Sequence, residues 1–170
     1  MQALLIGKRA KILTSVEDRL RAFGWQVTLT NDLDLQKLLA FDVSKITVVA
    51  FGRAVSKSDK DVLLRHYKQQ NSSVVAVDGL APIPELIVYQ ILAAARPITS
   101  QALADAKQAS EGPLQLHIKA FRLNWLYRIK TKEVEVPLAQ GTSADLVKIF
   151  KGFPFLVFEM NGRYSVISNK

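Results

Sequence analysis

Short apolar runs alternate with amphipathic stretches along the first 95 or so residues. The runs 3–6, 45–51 and 74–77 have the length of strands that are buried in a parallel sheet, whereas residues 25–30 alternate between apolar and polar like a strand. Between them, apolar residues recur at helical spacing, as with Val16, Leu20 and Phe23. Strands that alternate with helices in this way form a parallel sheet with helices on both faces. The pattern therefore predicts an α/β fold made of four βα units.

Capping residues predict where these helices begin and end. Thr14 or Ser15 is placed to cap the first helix, and Gly24 is placed to end it. Ser56 or Ser58 would cap the third helix in the same way. The fourth helix, at residues 85–95, follows two prolines and is apolar almost all round, so we expect another surface to cover it.

The pattern changes after residue 112, where the apolar period falls from about 3.6 residues to 2. Apolar and mostly basic residues then alternate from Phe121 to Lys130, which predicts a strand with two unlike faces. A reversal at residues 130–132 would place Glu133 opposite Lys130 and Glu135 opposite Arg128. The change of parity upstream implies a bulge or turn near Ala120. These features predict a first β-hairpin.

A second hairpin is predicted near the end of the chain. Asn161 and Gly162 separate the strand-like runs 153–160 and 163–168, and Asn-Gly is the strongest short-range hairpin signal. A short helix at residues 144–151 is predicted between the two hairpins. The predicted segments are an α/β domain at 1–97, a helical connector at 98–112, and a small α+β module of hairpin, helix and hairpin at 113–170.

Composition limits the chemistry that this chain can carry. It has no cysteine, which excludes disulfides, thiolate catalysis and cysteine-ligated metals, and which fits a reducing compartment. The apolar start ends at Gly7 without a basic segment before it, so we expect a strand and not a secretory signal. No apolar run approaches the roughly 18 residues of a membrane span. A cytoplasmic protein without membrane contact is therefore expected.

The net charge of +8 is distributed unevenly. Residues 113–170 carry 9 Lys and Arg against 4 Asp and Glu, and they hold 8 of the 14 aromatic residues. Basic, aromatic-rich modules bind nucleic acid by neutralising phosphates and stacking on bases. The basic face of this module comprises His117, Lys119, Arg122, Arg128 and Lys130. The alternative, which we favour from the sequence, is that the aromatic residues form a core and the cations a solvated face.

A second group of cations is predicted at the carboxyl ends of the parallel strands, where open α/β sheets bind ligands. If the first and third strands are neighbours, the residues that follow them converge on one crevice, which helix N-termini also face. The candidate anion-binding residues are Gly7, Lys8, Arg9, Lys11, Gly52, Arg53, Lys57, Asp78 and Gly79. This crevice would bind a phosphate-bearing ligand or an acidic partner surface. The alternative, which we favour from the sequence, is that these are ordinary solvated residues of the loops.

The layout of the first 95 or so residues, with each strand ending at Gly or Asp, resembles the flavodoxin-like receiver domain of bacterial response regulators. The resemblance implies acidic Mg²⁺ ligands after the first strand, an acceptor Asp ending the third, a Ser or Thr ending the fourth, and a Lys ending the fifth. The matching positions here are Gly7-Lys8-Arg9, Phe51-Gly52-Arg53 and Asp78-Gly79, and no fifth strand is evident. Cations at the metal position argue against Mg²⁺-dependent aspartyl phosphorylation. The resemblance therefore implies a degenerate, non-phosphorylatable receiver-like domain.

A Rossmann-like dinucleotide-binding domain is the alternative resemblance, because that group also begins with a strand, a Gly turn and a helix. Its fingerprint has three glycines, which let the backbone approach a pyrophosphate. Only Gly7 is present here, and Asp32 or Asp34 could stand in for the ribose-binding acid. This resemblance implies a nucleotide or NAD(P) as ligand, whereas the receiver-like resemblance implies no cofactor.

No catalytic constellation is predicted from the sequence. His66 and His117 lie far apart along the chain, and no nucleophile elbow, Walker A loop or zinc-binding motif occurs. We therefore expect no metal site and a non-enzymatic regulatory or interaction protein. Its basic module would contact a protein partner, a second copy of the chain, or nucleic acid. The alternative is a Rossmann-like nucleotide- or dinucleotide-binding protein, for which enzymatic activity stays open.

Overall fold

A computed structural model describes residues 1–109, 114–124, 126, 128–138, 146 and 148–168. The chain forms two compact units, Met1–Ala95 and Arg96–Lys170. The first contains a parallel sheet with helices, and the second contains an antiparallel sheet. The predicted α/β class, followed by a β-containing module, is confirmed. Among the described residues, no helix is both long enough and apolar enough to cross a membrane.

The first unit is described in full and alternates strands with helices. Its elements are β1 (Gln2–Ile6), α1 (Ala10–Ala22), β2 (Gln26–Thr30), α2 (Leu35–Leu39), β3 (Val48–Phe51), α3 (Lys57–Gln70), β4 (Val75–Asp78) and α4 (Pro84–Ala95). The strand order is β2-β1-β3-β4, and every pair is parallel. β1 and β3 pair directly, from Ala3 with Val48 to Ile6 with Phe51. The predicted adjacency of the first and third strands is therefore confirmed.

Apolar side chains on both faces of β1 and β3 hold this sheet between two helix layers. Leu4 and Ile6 pack with side chains of α2 and α3 in one buried cluster. Side chains alternate across a strand, so Leu5 lies on the other face, where it shares a cavity wall with residues of α1 and α4. Burial on both faces explains why these strands are continuous apolar runs in the sequence.

The start of α1 differs from the prediction. The predicted cap at Thr14 or Ser15 is wrong, because the helix begins at Ala10 and both residues lie inside it. Arg9 occupies the N-cap position and makes no side-chain capping hydrogen bond. The additional turn places Leu13 against the sheet, in line with the buried residues of the following turns. Burial of this apolar stripe therefore sets the start of the helix without a capping side chain.

Two other predicted helix boundaries are confirmed. Ser56, one of the two proposed caps of α3, accepts a hydrogen bond from the backbone N–H of Asp59 at 3.1 Å. Gly24 follows α1 with a φ of 77°, a left-handed conformation that glycine adopts without steric penalty. These residues satisfy backbone groups that each helix end leaves without an intrahelical partner.

The described residues of the second unit include the helix α5 and four strands. They are α5 (Ser100–Ala109), β5 (Gln115–Leu123), β6 (Ile129–Pro137), β7 (Phe155–Met160) and β8 (Arg163–Ser168), and the strand order is β6-β5-β7-β8, all antiparallel. The segment before α5 bonds to β8: the Tyr164 N–H donates to the Arg96 carbonyl at 2.9 Å, and the Ile98 N–H donates to the Tyr164 carbonyl at 3.1 Å. The predicted connector helix therefore belongs to this unit.

The second predicted hairpin is confirmed. Met160 of β7 pairs with Arg163 of β8, which leaves a two-residue turn. Asn161 and Gly162 in that turn have φ values of 49° and 70°. A tight turn with positive φ at both central positions matches the right-handed twist of the two strands, which is why Asn-Gly is favoured there.

The register of the first hairpin differs from the prediction. Leu123 pairs with Ile129, so the chain reverses at residues 124–128 and not at residues 130–132. Glu133 lies opposite Lys119, and Glu135 lies opposite His117, so the predicted pairings with Lys130 and Arg128 are wrong. β5 also pairs without interruption through Ala120, where a bulge was predicted.

Asn124 explains the earlier reversal. Its side-chain oxygen accepts hydrogen bonds from the backbone N–H groups of Leu126 at 3.1 Å and Arg128 at 2.8 Å. Its own N–H donates to the Arg128 carbonyl at 3.0 Å. Asn side chains stabilise turns by bonding the backbone a few residues ahead. Trp125 and Tyr127, which were predicted on the apolar face, lie outside the described residues.

The sheet of the second unit buries apolar side chains on both faces: Phe121 and Val157 are buried on one face, and a separate cluster lies on the other. Ile118, Ala120, Phe150 and Leu156 form a buried cluster there. Much of the helix predicted at residues 144–151 lies outside the described residues. Its described part is helical, since the Phe150 N–H donates to the Leu146 carbonyl at 3.0 Å.

Candidate functional site

A cavity of about 430 Å³ opens at the carboxyl ends of β1 and β3. The strand order reverses at this point, because the chain leaves β1 for β2 on one side and returns to β3 on the other. Loops that follow two such strands diverge and leave a space between them, which is where open α/β sheets bind ligands. The cavity therefore lies at the crevice that the sequence predicted.

Two glycines are in close contact at the strand ends that border the cavity. Gly7 follows β1, Gly52 follows β3, and the Gly52 N–H donates to the Ile6 carbonyl at 2.7 Å. A Cβ atom on Gly52 would lie only 3.2 Å from the Gly7 Cα and 3.3 Å from the Ile6 carbonyl oxygen. Both neighbours are backbone atoms that cannot rotate away. The close approach of the two strand ends therefore favours glycine at position 52.

Apolar side chains form the walls of the cavity. They come from α1, from β1 and β3, and from α4 with the loop before it, and they are Leu5, Ile12, Leu13, Val16, Ala50, Ala81, Pro82 and Ile87. Burying the apolar part of a ligand against such walls contributes about 25 cal/mol per Å² removed from water. The cavity therefore suits a ligand with an apolar body.

Cations border the same cavity. Lys8, Arg9 and Arg53 line it and are exposed, and the described lining residues include no carboxylate, imidazole or hydroxyl side chain. The N-terminus of α1 adds to this field: no side chain caps it, and its first turn carries no acid. The first N–H groups of a helix and its dipole both favour an anion. The cavity thus combines apolar walls with an anion-attracting border.

Six of the nine predicted crevice residues line the cavity, namely Gly7, Lys8, Arg9, Gly52, Arg53 and Gly79. The other three do not. Lys11 is exposed in the first turn of α1, and Lys57 begins α3, which packs on the opposite face of the sheet. The Asp78 carboxylate is 2.7 Å from the Lys60 ammonium and forms an ion pair with it.

The two acids considered for ribose binding are engaged within their own loop. The Lys37 ammonium is 2.6 Å from the Asp32 carboxylate, and this hydrogen bond lowers the pKa of Asp32 below its ordinary value. The Asp34 carboxylate accepts a hydrogen bond from the Lys37 backbone N–H at 3.1 Å and caps α2. Neither acid lines the cavity.

The apolar walls of the site were not predicted from the sequence. Leu13 lies before the predicted start of the first helix, and Ala81 and Pro82 lie in a loop that was assigned only a helix-opening role. α4 packs beside α1, on the face where Leu5 and Ala50 point. One signal was present: the apolar spacing of Val16 and Leu20 extends back to Leu13 and therefore predicts an earlier helix start.

The basic residues predicted on one face of the second unit lie on two faces of its sheet. On one face, the Lys119 ammonium is 2.7 Å from the Glu133 carboxylate, and His117 is 3.5 Å from Glu135. Arg122 and Lys130 lie opposite each other on the other face. Arg128 lies in the turn before β6, where its backbone bonds Asn124. Within the described part of the chain, no group of three or more His, Asp or Glu side chains could hold a metal ion.

Comparisons with known proteins add little to this picture. No protein-family model matches the chain, and no curated protein sequence matches it. Among solved structures, the chain is similar to a crystal structure of an NAD kinase from Archaeoglobus fulgidus in complex with ATP, at 12% sequence identity and a TM-score of 0.30. The match covers 99% of this chain and 77% of that chain. A similarity at this level carries no argument about fold or function.

Proposed function

We propose that this chain is a non-enzymatic regulatory or interaction protein whose receiver-like first unit binds a small anionic ligand and whose second unit contacts a partner. The lining of the cavity at β1 and β3 carries the proposal. It joins apolar walls to three cations, Lys8, Arg9 and Arg53, without an acid among its described residues. The proposed ligand therefore has an apolar body and a phosphate or carboxylate group.

The cationic border of the cavity suits the anionic group of such a ligand, and the apolar walls suit its apolar body. Hydrogen bonds that involve a charged group contribute about 1.5–3 kcal/mol each, so two or three of them can position an anion. The volume of about 430 Å³ is typical of small-molecule sites. An anion at the N-terminus of α1 would leave its apolar part directed toward Leu13 and Val16, one and two turns along that helix.

The same residues argue against phosphorylation and catalysis. Lys8 and Arg9 occupy the positions at which receivers carry their metal-binding acids, and a divalent cation would be repelled there. Asp78, the acid at the end of β4, is paired with Lys60. General acid–base catalysis needs a titratable group within hydrogen-bond reach of the substrate, and the described lining offers only Lys8 in that role.

A Rossmann-like nucleotide-binding protein is the second candidate. The uncapped N-terminus of α1 favours it, because nucleotide phosphates bind where backbone N–H groups are accessible. The N–H groups of Gly7 and Gly52 already donate to backbone carbonyls. Only one glycine is present in the loop between β1 and α1, which argues against a dinucleotide pyrophosphate. Turnover separates the candidates: an enzyme converts its bound nucleotide, whereas a regulatory protein releases it unchanged.

Thermal-shift screening followed by calorimetry tests the proposal. The panel contains AMP, ATP, NAD, NADP and phosphorylated metabolites with apolar groups, and a member that binds the folded state raises the melting temperature. The combined variant Lys8→Gln and Arg53→Gln should weaken binding at least about tenfold, which corresponds to about 1.4 kcal/mol. Chemical analysis of the ligand after incubation shows whether it is released unchanged.

A charge-matched control distinguishes a site from general attraction. Lys11→Gln combined with Lys57→Gln removes the same charge from nearby positions that do not line the cavity, and it should leave the affinity unchanged. Equal weakening by both double variants would contradict the proposal, because it would indicate a diffuse electrostatic effect. Absence of binding across the whole panel would also contradict it.

A further inference from the structure

Charges on the hairpin of β5 and β6 are arranged differently on its two faces. On one face, the Lys119 ammonium lies opposite the Glu133 carboxylate, and the two groups are 2.7 Å apart. His117 lies opposite Glu135 on the same face. Acids therefore lie opposite the central polar residues of β5 on this face.

The other face of the hairpin brings like charges together. Arg122 lies directly opposite Lys130, and Lys132 follows two residues along β6 on the same face. Like charges in direct cross-strand positions destabilise a sheet, whereas opposite charges stabilise it. The fold therefore tolerates a repulsive pair here while it pairs opposite charges on the reverse side of the same two strands.

A neighbouring segment adds further cations at this place. The Lys132 ammonium donates to the Ile149 carbonyl at 3.0 Å. The Arg122 guanidinium lies 3.3 Å from the position that a Cβ atom on Gly152 would occupy. Lys148 and Lys151 belong to the same short segment and are exposed. The sheet cations and the segment cations therefore lie on one side of the second unit.

We call Arg122, Lys130, Lys132, Lys148 and Lys151 the cationic surface. No ion pair involves any of these five side chains within the part of the chain that the structure describes. Asp145, the acid nearest to Lys148 in sequence, lies outside the described residues. Apolar residues on this side of the sheet, among them Ile118 and Ala120, are buried and pack with Phe150. The five cations form a positive patch around this covered core.

We propose that the cationic surface binds nucleic acid through its phosphate backbone, an inference that rests on the partner-binding role proposed for the second unit. Lys130 and Lys132 are two residues apart on one face, or about 7 Å at the rise of a strand, which is close to the spacing of consecutive phosphates in a nucleic-acid strand. Phosphates would offset the repulsion between Arg122 and Lys130. Membrane insertion needs exposed apolar side chains within the patch. Of the two that are exposed near this end of the hairpin, Ile129 lies on the face opposite to Lys130 and Leu126 lies in the turn, so an anionic membrane fits less well.

Fluorescence anisotropy with the full chain tests this inference. The probes are a labelled 20-nucleotide single-stranded DNA and its duplex, titrated at several salt concentrations. Wild-type affinity should fall steeply as salt rises, because binding releases condensed counterions. Arg122→Gln combined with Lys130→Gln should weaken binding about tenfold at low salt and should reduce the slope of log Kd against log salt by about 2. Its melting temperature should stay the same or rise, because a repulsive pair has been removed.

Controls separate this inference from the cavity proposal. Lys11→Gln combined with Lys57→Gln lowers the net charge equally but lies in the first unit, and it should leave DNA affinity unchanged. Lys8→Gln combined with Arg53→Gln should weaken ligand binding in the cavity and leave DNA binding intact. Failure of the wild type to bind either DNA probe at low salt would overturn the inference and leave the cavity proposal standing. Equal loss in the control variant, or binding only to phosphatidylserine vesicles, would overturn it as well.

Discussion

Tyr67 shows how a single buried polar group can connect two elements of the first unit. Its side chain is fully buried, and its hydroxyl donates a 2.6 Å hydrogen bond to the Leu38 carbonyl at the end of α2. Burial raises the pKa of Tyr67 to about 12, because the charged phenolate would lose its hydration in the core. The neutral phenol is therefore the form on which the folded state depends.

The raised pKa of Tyr67 predicts a loss of stability at high pH. An unfolded tyrosine titrates near pH 10, so the stabilisation is fully present below about pH 10 and is lost as the pH rises through about 12. Tyr67→Phe should lower the free energy of unfolding by about 1–2 kcal/mol at pH 7, since the Leu38 carbonyl loses its partner. It should also reduce the loss of stability above pH 10. Urea unfolding followed by circular dichroism between pH 7 and 11 measures both effects, and an unchanged pH dependence in the variant would contradict the assignment.

Individual residues were predictable from the sequence where one local interaction determines their role. Ser56 caps α3 and Gly162 forms the second hairpin turn as predicted, because capping and positive φ depend only on near neighbours. Arg9 could not be predicted as an N-cap by the same reasoning, since its side chain makes no capping hydrogen bond. Its position is set by the burial of Leu13, a tertiary contact that no capping rule contains.

At the scale of elements, the N-terminus of α1 lacks a stabilising cap and also borders the candidate ligand site. Helices whose N-cap is Ser, Thr, Asp or Asn are more stable than uncapped ones by about 0.5–2 kcal/mol. Arg9 leaves the first N–H groups of a 13-residue helix without a side-chain partner beside the cavity. An anionic ligand would satisfy the groups that a capping side chain would otherwise occupy.

Substitution at position 9 should therefore change stability and ligand affinity in opposite directions. Arg9→Ser supplies a capping hydroxyl and should raise the free energy of unfolding by about 1 kcal/mol relative to Arg9→Ala. Both variants lack the cation, so any further loss of ligand affinity in Arg9→Ser reports competition between the hydroxyl and the ligand for the same N–H groups. Chemical denaturation and calorimetry measure the two quantities. Equal affinities in the two variants would show that the ligand does not use the helix N-terminus.

Element order could be predicted from the sequence, but strand register in the second unit could not. In the sheet of the first unit, β1 and β3 follow from apolar runs, because strands buried on both faces have few alternatives, whereas the edge strands β2 and β4 are more exposed. In the β5–β6 hairpin, two registers each place glutamates opposite cations, as in the predicted Lys130–Glu133 pair and the observed Lys119–Glu133 pair. Exposed pairs of this kind contribute too little to decide between registers. The backbone bonds of Asn124 in the turn distinguish them.

At the scale of the whole molecule, the cavity and the cationic surface lie in different units. Every residue that lines the cavity belongs to Met1–Ala95, and every residue of the cationic surface belongs to Arg96–Lys170. The predicted end of the α/β domain at residue 97 lies close to the observed end at residue 95, whereas the connector helix predicted as a separate segment belongs to the second unit. The segment before that helix bonds to β8, a pairing between positions more than 60 residues apart.

The first unit contains every element of its sheet and its cavity, so we expect it to fold and to bind its ligand without the second unit. Residues 1–97 contain both helix layers, the whole parallel sheet and all residues of the cavity, so this fragment should unfold cooperatively and should bind the ligand with the affinity of the full chain. Thermal unfolding by circular dichroism and calorimetry test the two expectations, with the Lys8→Gln and Arg53→Gln fragment as the control for specific binding. If the fragment folds but binds the ligand more weakly than the full chain does, the second unit contributes to ligand binding. An unfolded fragment would contradict the expectation that the first unit folds independently. Retained binding would instead establish that ligand recognition is a property of the first unit, and that any response of the second unit to the ligand must be transmitted between them.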